Sequence, residues 1–238
     1  MDSQAGPLSH VWLSVTPSKA KGTALADSDF RSLCRYWLGL PLLCDGQVAC
    51  CPACDEPCDP FGDHFVNCGK HGLSRRHNAV RYEWSQVLGA AVVSHAKEVV
   101  ARGRKRPADI LLLGWDRGRD VCIDFTVTNP LSAENFPLQP GVGKTHLGVA
   151  EREKMRLEGP LCAEVNWGFH PVALSPWGGM GPSAKWFLQE TCKRVTTDLP
   201  LAAHSARVGE VRQGLSITLA REVARQLLLR CRVITAPS

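Results

Sequence analysis

Arg106-Pro107-Ala108-Asp109-Ile110-Leu111-Leu112-Leu113, Gly114-Trp115-Asp116-Arg117-Gly118 and Asp120-Val121-Cys122-Ile123-Asp124-Phe125-Thr126-Val127-Thr128 together decide the fold. Two apolar runs flank a turn-rich pentapeptide, which predicts strands over 108–113 and 120–128 joined as a hairpin. In the second strand Val121, Ile123, Phe125 and Val127 alternate with Cys122, Asp124, Thr126 and Thr128. Period two therefore makes the first set core and puts Asp124 on the polar face. A short hairpin folds Asp109 and Asp124 into adjacency, so that two carboxylates face one metal. Burying an aspartate in such a strand costs on the order of several kcal/mol unless it is paired or ligates a cation. A surface-facing aspartate on an edge strand is the plainer alternative.

Outward from the hairpin, a helix is expected over 74–93, capped by Ser74, with Val80, Trp84, Val87, Leu88 and Ala91 on one stripe and His77, Asn78 and Arg81 on the opposite edge. A strand is expected over 98–101. Beyond a loop through Pro137 and Pro140 come a helix over 147–158, a strand over 165–174 and helices over 183–198 and 208–230. A short lead-in helix is expected over 29–38. The pattern is α/β (α+β): a mixed sheet flanked by helices. It divides into a lead-in segment (1–43), a small metal-held knuckle (44–72), a core (73–182) and C-terminal helices packing on that core (183–238).

The chain has 238 residues, 44% of them apolar and 21% charged, close to globular averages. No stretch approaches the roughly 18 uninterrupted apolar residues of a membrane helix, and residues 1–17 lack a basic head followed by an apolar run. An intracellular, non-membrane protein is expected. Eleven cysteines is an odd count, and the crowding of Cys50, Cys51, Cys54, Cys58 and Cys68 suits a metal site in a reducing compartment better than a disulfide framework. Cys51-x2-Cys54 and His64-x3-Cys68 supply two ligand pairs for one tetrahedral Zn2+, with Pro57, Pro60 and Gly62 giving the bend between them. Cys50 or Cys58 could replace Cys51. Four closed ligands make such a zinc structural, and a segment this polar needs a metal to fold. The net charge is +5, with Arg75, Arg76 and Arg81 forming one basic cluster and Arg102, Arg104, Lys105 and Arg106 another. Such clusters suit a polyanion and are equally common on solvated faces.

In order, the chain carries Trp37-Leu38-Gly39-Leu40-Pro41, the Cys-Cys-His-Cys knuckle, Arg76-His77-Asn78, Arg106-Pro107-Ala108-Asp109, Ile123-Asp124-Phe125-Thr126-Val127 and Gly178-Gly179-Met180-Gly181-Pro182. Over roughly 30–180 this order resembles the restriction-like endonuclease domain, of the PD-(D/E)-x-K superfamily, found in site-specific non-long-terminal-repeat retrotransposons. The family carries a reverse transcriptase upstream, which is not expected in this chain, and Ala108 interrupts the family's Pro-Asp dipeptide.

The resemblance implies a nuclear, Mg2+-dependent endonuclease acting on DNA, with RNA as the other candidate substrate. Asp109 and Asp124 would hold the Mg2+, with Glu83 or Glu98 a candidate third carboxylate. His77 would contact phosphate or brace the metal ligands, and Arg75, Arg76, Asn78, Arg81, Arg104 and Arg106 would bind nucleic acid. The superfamily lysine usually lies two residues after the second acid. Thr126 stands there, so Lys154 of the following helix is the implied replacement and Lys144 its rival. Without such a role, Lys154 would be a solvated partner of Glu151 or Glu158 at helical spacing. A catalytically inactive zinc-containing nucleic-acid-binding module and a zinc-stapled protein-interaction domain are the alternatives. Gly141-Val142-Gly143-Lys144-Thr145 has the tail of a phosphate-binding loop, but Leu138 stands where its first glycine belongs.

Overall fold

The computed structural model describes residues 9–43, 49–70, 72–97, 108–129, 146–197 and 199–234. Its elements run α1 (Asp27–Trp37), β1 (Ala49–Cys50), β2 (Pro57–Cys58), α2 (Asp63–Asn67), α3 (Leu73–Ala90), β3 (His95–Lys97), β4 (Ile110–Asp116), β5 (Arg119–Val127), α4 (His146–Ala163), β6 (Gly168–Leu174), α5 (Pro182–Val195) and α6 (Leu201–Ile234). The protein is mixed α/β. Strands β3, β4, β5 and β6 form a four-stranded sheet in that order. The β4–β5 hairpin is antiparallel, with Ile110 opposite Ile123, and β6 lies parallel to β5.

The sheet is packed on both faces. Ile110, Leu112, Val121, Ile123, Phe125, Val172 and Leu174 are buried against Val80, Trp84 and Leu88 of α3, Phe187 and Leu188 of α5, and Val211 and Leu215 of α6. This is the apolar face that strand alternation predicts. The other face is not simply polar, because Cys122 is fully buried with Ala108, Leu111 and Cys162 under α4. Asp124 thus lies beside a helix-covered patch, next to a cleft.

Glu151 anchors this arrangement. It is 6% exposed on α4, and its carboxylate accepts from the Ser183 and Ala184 backbone N–H groups at 3.0 Å each. It therefore caps the α5 N-terminus, where orphan N–H groups and the helix dipole favour an anion. A Cβ on Gly181 would run into that carboxylate, which explains the glycine before Pro182. Glu151 is a buried cap and not a solvated partner of Lys154.

A second cluster gathers Trp12, Leu33, Tyr36, Phe65, Val66 and Trp177 on Ile217, Ala220, Val223, Ala224 and Leu227 of α6. One long helix thereby touches both clusters. Phe65 and Val66 are fully buried, so the knuckle is held by apolar packing as well as by any metal.

Several boundaries differ from the sequence expectation. The helix expected over 74–93 is capped at Gly72, not Ser74. Gly72 has φ +85°, and a Cβ there would lie 2.5 Å from Gln226 Nε2, so close packing on α6 sets the start. The strand beside the hairpin is His95–Lys97, and residues 98–101 lie outside those described. Helix α4 runs through Pro160 to Ala163, where Cys162 packs under the sheet. Strand β6 starts at Gly168 because the chain reverses through Asn166, at φ +59°. Helix α5 ends at Val195, and α6 spans the whole of Leu201–Ile234.

Candidate active site and zinc cluster

The short β1–β2 pairing and the turn after it build the cysteine cluster. Cys51 accepts backbone N–H donations from Cys54 and Asp55 at 3.3 and 2.8 Å, and Asp55 takes the left-handed conformation at φ 59°. Opposite this turn, Asp59 accepts from the backbone N–H groups of Phe61, Gly62, Asp63 and His64, fixing the start of α2 that carries His64. The ligand atoms of Cys51, Cys54, His64 and Cys68 all lie within 4.8 Å of one another. Cys68 Sγ is 3.7 Å from both Cys51 Sγ and Cys54 Sγ. Four ligands at about 2.3 Å from zinc sit about 3.8 Å apart at the corners of a tetrahedron, so the sulfur spacing suits that ion. The cluster can hold a zinc ion with Cys51 and without Cys50 or Cys58, settling the choice that spacing alone left open.

The second site is a cleft of about 510 Å³ between α3, β5 and α4, lined by Ser74, His77, Asn78, Arg81, Asp109, Asp124, Thr126 and Lys154 among others. Asp109 sits at the head of β4, where its N–H donates to Ile123 O at 2.9 Å, and the hairpin register sets it opposite Asp124. The hairpin thus brings the two carboxylates to one cleft. Lys154 arrives from α4, with Nζ 2.8 Å from Asp124 Oδ2. His77 arrives from α3, with Nε2 2.9 Å from Asp109 Oδ2. The Phe125 backbone N–H donates to the same Asp109 oxygen at 2.8 Å.

The electrostatics follow from burial and pairing. Burial raises the Asp124 carboxyl above its ordinary range, and the Lys154 hydrogen bond and charge offset only part of this. Lys154 is pulled down by burial, but Asp124 outweighs that and leaves it above its usual value. His77 is raised, chiefly by the Asp109 hydrogen bond, against the opposing effect of burial.

Some sequence expectations lie elsewhere. Arg76 lines the cleft but is only 2% exposed, and it donates to Val66 O at 3.2 Å and to Gln226 Oε1 at 3.1 Å, tying the knuckle to α6. Glu83 faces α6, with Oε1 2.9 Å from a Cβ position on Gly214, and is not among the residues lining the cleft. Arg75 is paired with Glu222 at 2.9 Å, although its side chain is 64% exposed. Arg104, Arg106, Glu98, Lys144 and the rest of Gly141-Val142-Gly143-Lys144-Thr145 lie outside the described residues. No described helix is long and apolar enough to cross a membrane. Asp59 and Glu151 are the polar anchors that sequence reasoning missed. A turn aspartate three residues before a glycine and a glutamate in a helix are each too common to stand out. No protein-family model and no curated protein matches this chain.

Proposed function

We propose that the protein is a Mg2+-dependent endodeoxyribonuclease with a PD-(D/E)-x-K type site, of the target-nicking kind found in the retrotransposon domains it resembles, and that its zinc cluster is structural. The observation that carries this is the convergence of Asp109, Asp124 and Lys154 in one cleft, from β4, β5 and α4. Two anions and a cation so arranged are the minimum for metal-assisted phosphodiester hydrolysis.

The donor set fits Mg2+. Carboxylate oxygens are the hard ligands that the ion prefers, and with Oδ2 of Asp109 beside the His77 ring and Oδ2 of Asp124 beside the Lys154 ammonium, Oδ1 of each aspartate is the donor left for the metal. Mg2+, when bound, supplies positive charge that polarises the scissile phosphate and the attacking water. Lys154, still 34% exposed, can pivot from Asp124 towards substrate and balance the negative charge gathering at phosphorus. Ser74, Asn78 and Arg81 line the same cleft and offer donors to the flanking phosphates, which position the strand without reading its sequence. The resemblance favours DNA over RNA.

Lys154→Met tests the assignment. Single-turnover nicking of supercoiled plasmid should slow by about 100-fold, equivalent to about 2.7 kcal/mol, with the melting temperature nearly unchanged. An unslowed variant would remove Lys154 from the machinery.

A further inference from the structure

Arg76, His77 and Asn78 are consecutive on the first turns of α3, yet each does something different. Arg76 is buried between Val66 O and Gln226, fixing the helix against the knuckle and α6. Asn78 is exposed at the cleft wall beside them. His77 reaches across to Asp109 Oδ2 at 2.9 Å. That oxygen also accepts from Phe125 N–H at 2.8 Å.

An aspartate carboxylate rotates about a single bond with a broad torsional preference, so a lone aspartate at a strand head is not fixed in orientation. Two donors on one oxygen, from different elements, remove that freedom. A metal ligand held in advance loses less entropy on binding, and partners of this kind tune affinity by one to two orders of magnitude. Arg76 anchors the helix, and the His77 ring orients the ligand.

We infer that His77 is a positioning residue, which with Phe125 N–H locks the Asp109 carboxylate so that Oδ1 is presented to the catalytic metal. This rests on the proposed nuclease function and deepens it. His77 need not touch substrate.

The test uses Mn2+ as a spectroscopic substitute for Mg2+, with Mn2+ affinity measured by electron paramagnetic resonance on the full, zinc-loaded chain. His77→Ala should weaken Mn2+ binding by about 10- to 100-fold, the range typical of lost ligand-orienting partners, while plasmid affinity in metal-free buffer and the melting temperature stay near wild type. His77→Gln, which keeps an N–H donor, should recover most of the affinity. In nicking assays His77→Ala should raise the Mg2+ concentration for half-maximal rate, and saturating Mg2+ should restore much of the rate. Wild-type Mn2+ affinity in His77→Ala alongside lost affinity in Asp109→Asn would overturn the positioning role and leave the nuclease site standing. Unchanged Mn2+ affinity in Asp109→Asn itself would overturn the metal site on which the inference rests. If His77→Ala loses cooperative folding, His77→Leu takes its place: weakened Mn2+ binding in His77→Leu that His77→Gln does not share supports the positioning role, and wild-type Mn2+ affinity in both overturns it.

Discussion

Asp109→Asn and Asp124→Asn are each expected to abolish Mg2+-dependent nicking, by about 1,000-fold or more, while plasmid binding persists. A loss of that size corresponds to about 4 kcal/mol of transition-state stabilisation. Binding should survive because cationic side chains and phosphate contacts supply most non-specific affinity, and neither substitution removes a positive group. Asparagine is the informative replacement at Asp109. Alanine there would leave the Phe125 N–H and the His77 ring without their shared acceptor, at a folding cost of about 1–3 kcal/mol that would confuse the assay. Asparagine keeps an acceptor and removes the charge. At Asp124 either replacement releases Lys154, which is exposed enough to find water. Gel-shift and nicking assays on the same preparations separate the outcomes. Undiminished cutting by both variants would eliminate this cleft as the site of chemistry.

Zinc removal is the second large effect. Metal analysis should return one zinc per chain, and stripping it with a strong chelator should lower the melting temperature by about 10 °C or more, at a few degrees per kcal/mol for a chain of this size. Without the ion, the four side chains within 4.8 Å of one another no longer tie the β1–β2 turn to α2, and only the Asp59 hydrogen bonds and local packing remain. The effect should extend beyond the knuckle. Val66 O accepts from Arg76, and Arg76 precedes His77, so loosening α2 disturbs the turn of α3 that meets Asp109. Phe65 and Val66 remain packed on α6, so the chelated protein should keep most of its helical circular dichroism while residues 49–68 become the first sites of proteolysis. A protein with no zinc, or one equally protease-resistant after chelation, contradicts a structural zinc.

The elements legible in the sequence were those with strong local signals. The hairpin followed from alternation in 120–128 and the turn signal before it, although the turn is only Arg117-Gly118 and Gly114, Trp115 and Asp116 extend β4; Asp109 opposite Asp124 followed from the hairpin. The cysteine cluster followed from ligand spacing. Lys154 lay in a helix already implied, and its approach to Asp124 was suggested only by resemblance. What stayed hidden depends on distant partners. Arg76 and Arg75 carry the same charge one position apart, yet a single step around a helix sends one into the interior and leaves the other 64% exposed. Glu83, two residues past Arg81, falls on the far side of α3 for the same reason and meets Gly214. Glu151 reads as a helix-surface acid until α5, thirty residues later, supplies the N–H groups that it caps. The edge strand His95–Lys97 was not read from the sequence, because three residues carry too little alternation to mark a strand; the one expected over 98–101 lies outside the described residues.

The most direct test of a phosphodiester-hydrolysing site is incubation of the zinc-loaded protein with supercoiled plasmid in Mg2+ and, in parallel, in chelator. The site at Asp109, Asp124 and Lys154 predicts nicked circles only with Mg2+, carrying 5′-phosphate and 3′-hydroxyl ends that a ligase reseals. Plasmid that is bound but left supercoiled in Mg2+ would contradict it and favour a zinc-containing module that binds nucleic acid without cutting.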